Sequence, residues 1–304
     1  MVRLDGSAAL PAAFAHGIVA LGNFDGFHGG HQAVVGRAIA LAREQGSPAI
    51  VATFDPHPVR YFKPDTPPFR LTSLDQRERL FAAAGADAML VYRFDATLAA
   101  LTAEEFAREK LRGLSAVVTG EDFTFGNKKS GNVAVLAELG GRLGFTAEAV
   151  APVAQDGETI SSSRIRAALE AGDCQTATRL LTRPFAIEGI VQHGAKLGRT
   201  IGYPTANIIL GNYLRPRYGI YAVHVRLADG RIVGGAANIG IRPSFDPPIE
   251  LLEVFIFDFN EQLYDQMIEV ELIAFLRPEA KFDDLDSLVV QMDKDIIEAR
   301  RILS

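Results

Sequence analysis

The sequence predicts two domains of different class: an α/β half with a parallel sheet over residues 1–183, and a β half over residues 184–304. In the first half, short apolar runs alternate with segments of helical periodicity, which is typical of a parallel sheet covered on both faces. In the second half, strand-like runs follow one another with only turn residues between them, which favours a small antiparallel barrel. The pattern changes near residues 182–185.

The elements of the first half follow from apolar spacing. Residues 18–21 form a short apolar run that ends in a glycine-rich turn, and residues 50–54 form a second run closed by Pro56 and Pro58. Further strands are expected at 88–92 and 116–119, and helices at 31–45, 74–84 and 103–111.

The second half reads as strands at 186–192, 219–227, 231–238, 251–259 and 268–275. No helical pattern intervenes until residues 287–302, which we predict to be a terminal helix.

Composition limits the function. The chain has 304 residues, of which 48% are apolar and 22% charged, which is typical of a globular enzyme with two cores. The formal charge of -6 argues against a nucleic-acid partner, which would require a basic stripe. The single Cys174 excludes an internal disulfide, no Cys/His cluster has zinc-site spacing, and no segment is long and apolar enough for a membrane helix. We therefore expect a cytoplasmic protein with no membrane partner. The sequence leaves its oligomeric state open, a homo-oligomer included.

The run from Gly22 to His31 lies where the first predicted strand meets the first helix. Glycines there let a phosphate approach the backbone, and the helix start offers free N–H groups and the positive end of the helix dipole. His28 and His31 share one face of the first helical turn and can donate hydrogen bonds to the α-phosphate of ATP. A metal-ligand role for the pair is weaker, because no acidic ligand follows on the same helix. The ATP-binding residues expected here are Gly22, Phe24, Asp25, Gly26, His28 and His31.

A second candidate phosphate site is the serine run at 161–163, which precedes a helical segment. Helix capping explains these serines without any ligand. Two arginines in the same first turn oppose the dipole preference, however, and this is easier to understand if a phosphate lies among them. We expect Ser162, Ser163 and Arg166 to contact ATP.

The second half opens with a glycine-rich basic loop at 193–200, which is not a Walker A loop because of its glycine spacing. Its candidate ATP contacts are Gly194, Lys196, Gly198 and Arg199. Thr205 and Asn207 follow; two apart in an extended segment, they face the same way and offer neutral oxygens suited to Mg²⁺ beside ATP phosphates. The alternative is an ordinary turn in which Asn207 caps its own backbone.

Glu253 lies within an apolar strand, where a carboxylate is costly unless it is paired or protonated. It is either a member of a structural ion pair or a general base with a raised pKa.

Two motifs of the first half, Gly-x-Phe-Asp-Gly-x-His-x-Gly-His and Ile-Ser-Ser-Ser-x-Ile-Arg, resemble the paired signatures of the nucleotidyltransferase superfamily. More narrowly, they resemble the adenylyltransferase half of bacterial bifunctional riboflavin kinase/FAD synthetases. The segments 53–58 and 120–126 match further parts of that family. By this resemblance Phe54, His57 and Asp122 lie near the flavin or the transfer site; otherwise Phe54 is sheet core and His57 a turn residue. Lys128, Lys129 and Asn132 depart from the family pattern after 126.

The Gly-x-x-x-Gly-Arg-x-x-Gly-x-Pro-Thr-Ala-Asn run, with segments 219–223 and 237–243 and the strand at Glu253, resembles the riboflavin kinase domain. The resemblance implies a Rossmann-like nucleotidyltransferase domain followed by a six-stranded barrel. It also implies Thr205 and Asn207 on Mg-ATP, Glu253 as base and Arg242 at the flavin. Phe255, Ile241, Ser244 and Asp265 depart from the pattern.

The implied activity is phosphorylation of riboflavin to FMN in residues 184–304 and adenylylation of FMN to FAD in residues 1–183, with riboflavin, FMN and ATP as substrates. One rival is another nucleotidyltransferase, acting on pantetheine phosphate or a nicotinate nucleotide, which would lack the second half. The other is a flavin carrier with a decayed kinase site.

Overall fold

The computed structural model describes residues 1–193, 202–242 and 249–304. These residues form two compact units, one of 1–67 with 73–161 and one of 68–72 with 162–304. The domain boundary between residues 183 and 184 stays a prediction.

The first unit is built on a parallel sheet in the order β1-β4-β3-β2-β5-β6. Alternate residues of the central strands enter two different apolar clusters, Val19 and Leu21 one and Ile18 and Ala20 the other. Because both faces are buried, the strands read as continuous apolar runs. The strands are β1 (Val2–Asp5), β2 (Ile18–Leu21), β3 (Ala49–Asp55), β4 (Ala88–Arg93), β5 (Ala116–Gly120) and β6 (Thr146–Val150).

Helices cover both faces of this sheet, as predicted. α1 and α3 pack on one face through residues such as Val35 and Phe81, and α5 and α6 pack on the other through residues such as Phe106 and Leu136. The helices of this unit are α1 (Gly29–Gln45), α2 (Pro58–Phe62), α3 (Leu74–Ala84), α4 (Ala96–Ala100), α5 (Ala103–Lys110) and α6 (Val133–Leu143). Short 3₁₀ helices lie at Ala12–Phe14 and Asn127–Lys129, and a small hairpin joins β7 (Ala154–Gln155) to β8 (Glu158–Thr159).

The second unit contains the predicted six-stranded antiparallel barrel, in the order β10-β13-β12-β11-β14-β9. The ring is nearly closed between its end strands, where the N–H of Gln192 donates to the carbonyl of Asn207 at 2.8 Å. The strands are β9 (Phe185–Ile190), β10 (Ala206–Ile209), β11 (Gly219–Arg226), β12 (Ile232–Arg242), β13 (Ile249–Ile256) and β14 (Met267–Arg277).

Among the residues that the structure describes, three helices accompany the barrel: α7 (Ser162–Ala171), α8 (Cys174–Leu181) and the terminal α9 (Leu285–Leu303). α8 packs against β9 and β14. α9 is fixed to β14 by a bidentate pair in which Arg277 Nε and Nη2 bind the buried carboxylate of Asp295 at 2.6–3.1 Å. No helix among the described residues has the length and apolarity required to cross a bilayer.

Candidate functional site

The predicted ATP loop leaves β2 at the point where the strand order reverses. From β2 the sheet continues through β3 and β4 on one side and through β5 and β6 on the other. Ligands of open parallel sheets bind at this switch point, beyond the carboxyl ends of the strands. The segments after β2, β3 and β5 carry the residues from Gly22 to His28, His57 and Asp122.

The loop from Gly22 to His28 is tightly wound. Phe24, Gly26 and Phe27 have positive φ angles of 50°, 89° and 43°, and the Phe27 N–H donates to the Phe24 carbonyl at 3.1 Å. For phenylalanine this conformation is costly, so the surrounding packing must hold it. Phe24 and Phe27 are both buried, with ring centroids 5.9 and 5.0 Å from that of Phe81 on α3.

His28 and His31 lie together at the start of α1, as the sequence predicted. His28 is the N-cap, and its Nδ1 accepts from the His31 N–H at 3.4 Å, which leaves Nε2 as the protonated nitrogen of the neutral ring. The two rings stack with centroids 3.6 Å apart. A Cβ at Gly30 would lie 3.2 Å from His28 Cε1, so a side chain there would press on the imidazole and shift it by a few tenths of an ångström. The arrangement gives two imidazoles at a helix start that presents N–H groups.

The other predicted residues of this loop contribute differently. The Phe24 ring packs edge-on against His31 at 5.3 Å, so its side chain supports the imidazole from within the core. Asp25 is buried although it is a carboxylate. A Cβ at Gly22 would lie 3.0 Å from the Phe24 ring, so a side chain at Gly22 would displace that ring.

The predicted flavin residues of the first unit occupy three settings. Phe54 is buried in the core cluster beside Tyr92 and Phe106. His57 is the half-buried N-cap of α2, with Nδ1 accepting from the Val59 N–H at 3.1 Å. Asp122 is exposed after β5. Phe54 thus has the contacts of a sheet-core residue, and His57 those of a residue that caps a helix after a turn. Their roles at a flavin stay predictions.

Sequence reasoning missed an aromatic surface beside His57. Tyr61, Phe62 and Phe94 meet with ring centroids 5.1–5.7 Å apart, and Phe94 also lies 6.0 Å from Phe54. Phe62 is 64% exposed. The available signal was the Tyr61-Phe62 pair, which begins three residues after Pro58. Nothing in the spacing indicated that α2 would leave these rings at the surface.

The serine run begins α7, which belongs to the second unit by its contacts. Ser162 and Ser163 are its first residues. Arg166 Nε donates to the Phe69 carbonyl at 2.8 Å, and its guanidinium lies 5.3 Å from the Phe69 ring centroid. Arg166 thus fixes the segment 68–72, a contact that the sequence did not indicate.

In the barrel, Asn207, Glu253 and Asn238 are direct cross-strand neighbours on β10, β13 and β12. Their sequence neighbours, among them Ile208, Leu252 and Ile239, are fully buried in the interior, so the three polar side chains share the outer face. The Oδ1 atoms of Asn207 and Asn238 are buried and have no hydrogen-bond partner among the described residues. This face therefore presents acceptor oxygens on both sides of one carboxylate.

Glu253 is ion-paired with Arg242, whose Nη1 also lies 3.4 Å from Glu279 Oε1. The Glu253 side chain is 24% exposed, so it lies on the outer surface of the barrel rather than in an apolar interior. The carboxylate is thus ion-paired, and its role as a general base stays a prediction. Asn238, which donates to Glu279 at 3.2 Å, was not singled out from the sequence.

The segment before Asn207 is held by a hydrogen bond to the terminal helix. Tyr203 donates its hydroxyl to Asp293 on α9 at 2.6 Å, and this hydrogen bond raises the pKa of the Tyr203 phenol above its ordinary value. Thr205 is half-buried just before β10. The other predicted ATP contacts, Gly194, Lys196, Gly198 and Arg199, and the departure at Ser244, lie outside the described residues.

Phe255 and Asp265 are two of the departures from the family pattern that lie among the described residues. Phe255 packs against Tyr203 with centroids 5.4 Å apart. Asp265 has a φ of 60°, the left-handed conformation that glycine adopts without strain. Its N–H donates to the Val191 carbonyl at 3.0 Å, so the turn is kept despite the side chain.

Comparison with known proteins matches both halves. The FAD synthetase family model covers residues 11–164, and the riboflavin kinase family model covers residues 181–303. Bifunctional riboflavin kinase/FMN adenylyltransferases of Haemophilus influenzae and Bacillus subtilis are 42% and 39% identical. The alignments cover 92% of this chain and of the H. influenzae protein, and 95% of this chain and 93% of the B. subtilis protein. A solved structure titled macrolide-efflux protein from Streptococcus pneumoniae is 32% identical, with a TM-score of 0.86 and 97% coverage of both chains. This chain belongs to the bifunctional riboflavin kinase/FMN adenylyltransferase family.

Proposed function

We infer that this chain phosphorylates riboflavin to FMN and then adenylylates FMN to FAD, both at the expense of ATP. The observation that carries this conclusion is the order of the two motif sets, each in the half matched by the corresponding family model. We assign the adenylyl transfer to residues 1–183 and the kinase to residues 184–304. In the kinase step ADP is released, and in the adenylyl transfer pyrophosphate is released.

In the adenylyl transfer, an FMN phosphate oxygen attacks the α-phosphorus of ATP and the bond to pyrophosphate breaks. The negative charge that builds on the α-phosphate oxygens needs hydrogen-bond donors that are already in place. His28 Nε2, His31 and the first N–H groups of α1 meet that need, because the cap, the ring stack and Gly30 fix them before substrate arrives. Gly22, Asp25 and Gly26 shape the loop that receives ATP. Ser162, Ser163 and Arg166 remain proposed ATP contacts.

In the kinase step, Glu253 accepts the proton of the terminal ribityl hydroxyl while that oxygen forms its bond to the γ-phosphorus. The ion pair with Arg242 supports this role by fixing the orientation of the Glu253 carboxylate. Arg242 would thus orient the base on the flavin side.

The donor set beside Glu253 fits Mg²⁺. The buried Oδ1 of Asn207, which has no hydrogen-bond partner in the described part of the chain, and the hydroxyl of Thr205 are neutral oxygens. Mg²⁺ combines few such ligands with phosphates and water. Bound there, the ion would neutralise charge on the ATP phosphates. The described residues contain no group of three or more His, Cys, Asp and Glu side chains able to hold a metal.

We assign FMN recognition in the first unit to the region of Phe54, His57 and Asp122, together with the aromatic surface of Tyr61, Phe62 and Phe94. The exposed rings of Tyr61 and Phe62 follow β3, the strand that pairs with β2, and their flat faces suit a flat isoalloxazine ring.

The test is to incubate purified protein with riboflavin, ATP and MgCl₂ and to separate the flavins by chromatography over time. We expect FMN to appear first and FAD to follow, with both lost when EDTA replaces magnesium. Binding of riboflavin without turnover would favour a flavin carrier. Formation of FMN without FAD would show that the first unit does not catalyse adenylyl transfer to FMN.

A further inference from the structure

Arg77 on α3 is a fully buried arginine that sequence reasoning did not single out. Only 1% of it is exposed. Burying a guanidinium is costly unless its N–H groups are hydrogen-bonded, so the contacts that hold it identify what it is there to fix.

Those contacts join the ends of two strands. Arg77 Nη1 donates to the Asn23 carbonyl at 3.1 Å and to Thr53 Oγ1 at 2.8 Å. Thr53, itself completely buried on β3, donates its hydroxyl to the same Asn23 carbonyl at 2.8 Å. Asn23 follows β2 and opens the loop that leads to His28. A single carbonyl is therefore held by both a guanidinium and a hydroxyl.

α3 supports the rest of this loop through the next turn of the same face. Phe81, four residues after Arg77, contacts the rings of Phe24 and Phe27, and Phe24 in turn contacts the His31 ring. At the far end of the loop, Gln32 Nε2 donates to the Phe27 carbonyl at 2.9 Å. Since Phe24 and Phe27 both have positive φ angles, the loop needs such support to keep its shape.

We propose that Arg77 is a positioning residue for adenylyl transfer. Through its hydrogen bonds to Asn23 and Thr53, which we call the clamp, it fixes the position of the loop from Gly22 to His28. The loop in turn places His28 and His31 relative to the α-phosphate. The proposal rests on the adenylyl transfer assigned above to the first half. Arg77 itself touches no substrate; it acts through the backbone at Asn23.

The test uses the full chain, in which FMN formation from riboflavin serves as an internal control. Arg77→Met removes the donors and keeps much of the side-chain volume, whereas Arg77→Lys keeps a donor. Because small displacements of catalytic groups cost up to about 100-fold, we expect Arg77→Met to lower kcat for FAD formation from FMN by roughly 10- to 100-fold. The KM for FMN should stay close to the wild-type value, since the loss falls on the transition state. Arg77→Lys should recover part of the activity.

Thr53→Val removes the hydroxyl at nearly constant volume and tests the same clamp if Arg77→Met fails to fold. Leu111→Ala is the matched control. Leu111 is fully buried in the apolar cluster on the opposite face of the sheet, so its replacement should destabilise the unit without changing the contacts of the clamp. The assay temperature is chosen from thermal melts so that every variant is folded during the assay. We expect reduced kcat for FAD formation in Arg77→Met and Thr53→Val, and wild-type kcat in Leu111→Ala.

Wild-type kcat for FAD formation in both Arg77→Met and Thr53→Val would overturn the proposal, as would an equal loss in Leu111→Ala. A wild-type protein that converts FMN to no FAD would overturn the proposed function together with the clamp. An active wild type with unaffected clamp variants overturns the clamp alone.

Discussion

His28 and His31 in the first unit are positioned by the backbone of a buried loop and helix start, whereas Glu253 in the second unit is positioned by a neighbouring side chain. The imidazoles are placed by a helix start, by glycine at Gly30 and by buried aromatic rings behind the loop. Glu253 projects from a barrel strand and is oriented by Arg242.

The difference follows from the two architectures. A parallel sheet exposes its strand ends, so its site is made of loops whose shape depends on burial beneath them. A small barrel fills its interior with side chains, so polar groups must lie on its outer face, where neighbouring strands bring them into register. We therefore expect the activity of the first site to be sensitive to substitution of the buried residues that support its loop. The activity of the second site should be sensitive to substitution of the polar residues on the outer face of the barrel.

The largest effect should come from Glu253→Gln, which keeps shape but removes the proton acceptor. General-base catalysis is worth about 10²–10⁴-fold, so kcat for FMN formation should fall on that scale. Thermal stability should fall only modestly, because the ion pair is partly exposed to water and glutamine keeps an oxygen that can accept a hydrogen bond from Arg242. Steady-state assays and melts on one preparation check both statements. Near-normal FMN formation would contradict the base assignment, and a collapsed melt would favour a purely structural pair.

Next in size is the replacement of either imidazole. Removing a donor that stabilises developing charge typically costs about 10²–10³-fold, so His28→Ala or His31→Ala should nearly abolish FAD formation from FMN. FMN should still accumulate from riboflavin, because the barrel carries its own site. Chromatography of the flavins measures both steps at once, and an unchanged FAD yield in both variants would remove α1 from the α-phosphate.

A third test concerns where the kinase half begins. Fragments 162–304 and 184–304 differ only by α7, α8 and the residues that follow them, of which Leu180, Leu181 and Cys174 are buried. Since α8 packs on β9 and β14, deleting it should expose apolar barrel surface. We expect fragment 184–304 to fold and form FMN but to be less stable by roughly 1.5–3 kcal/mol, the worth of one large buried side chain. Equal urea midpoints would show that α8 adds nothing to the barrel.

The smallest effect is a pH dependence at the barrel end. Arg215 hydrogen-bonds to Glu250 at 2.8 Å and holds the pKa of that carboxyl below its usual value of 4.5. The unfolded chain therefore takes up this proton first as the pH falls, and the stabilisation present above that range is lost on acidification. Glu250→Gln should flatten the fall in melting temperature between about pH 5 and pH 3, a range set by the ordinary carboxyl pKa. An unchanged acid limb would contradict a role for this pair.

Much of the fold followed from the sequence, because period-two and period-3.6 patterns survive wherever a face is buried. The central strands β2 to β5 and the helices α1, α3 and α5 lie close to the predicted ranges. α6 was missed because adjacent glycines weaken its helical signal, and β6 because its half-buried residues include a glutamate. The edge strand β1 was also missed; it is only four residues long and mostly exposed.

The sequence by itself determined the family, the order of the two chemistries and the pairing of His28 with His31, because local motifs and helical spacing encode them. Only the tertiary structure decided that Glu253 faces outward beside Arg242, that Asn238 is its neighbour and that Arg77 lies behind the ATP loop. The reason is physical: these contacts join distant segments, and their free energy comes from burial and register that exist only once the sheet and the barrel have formed.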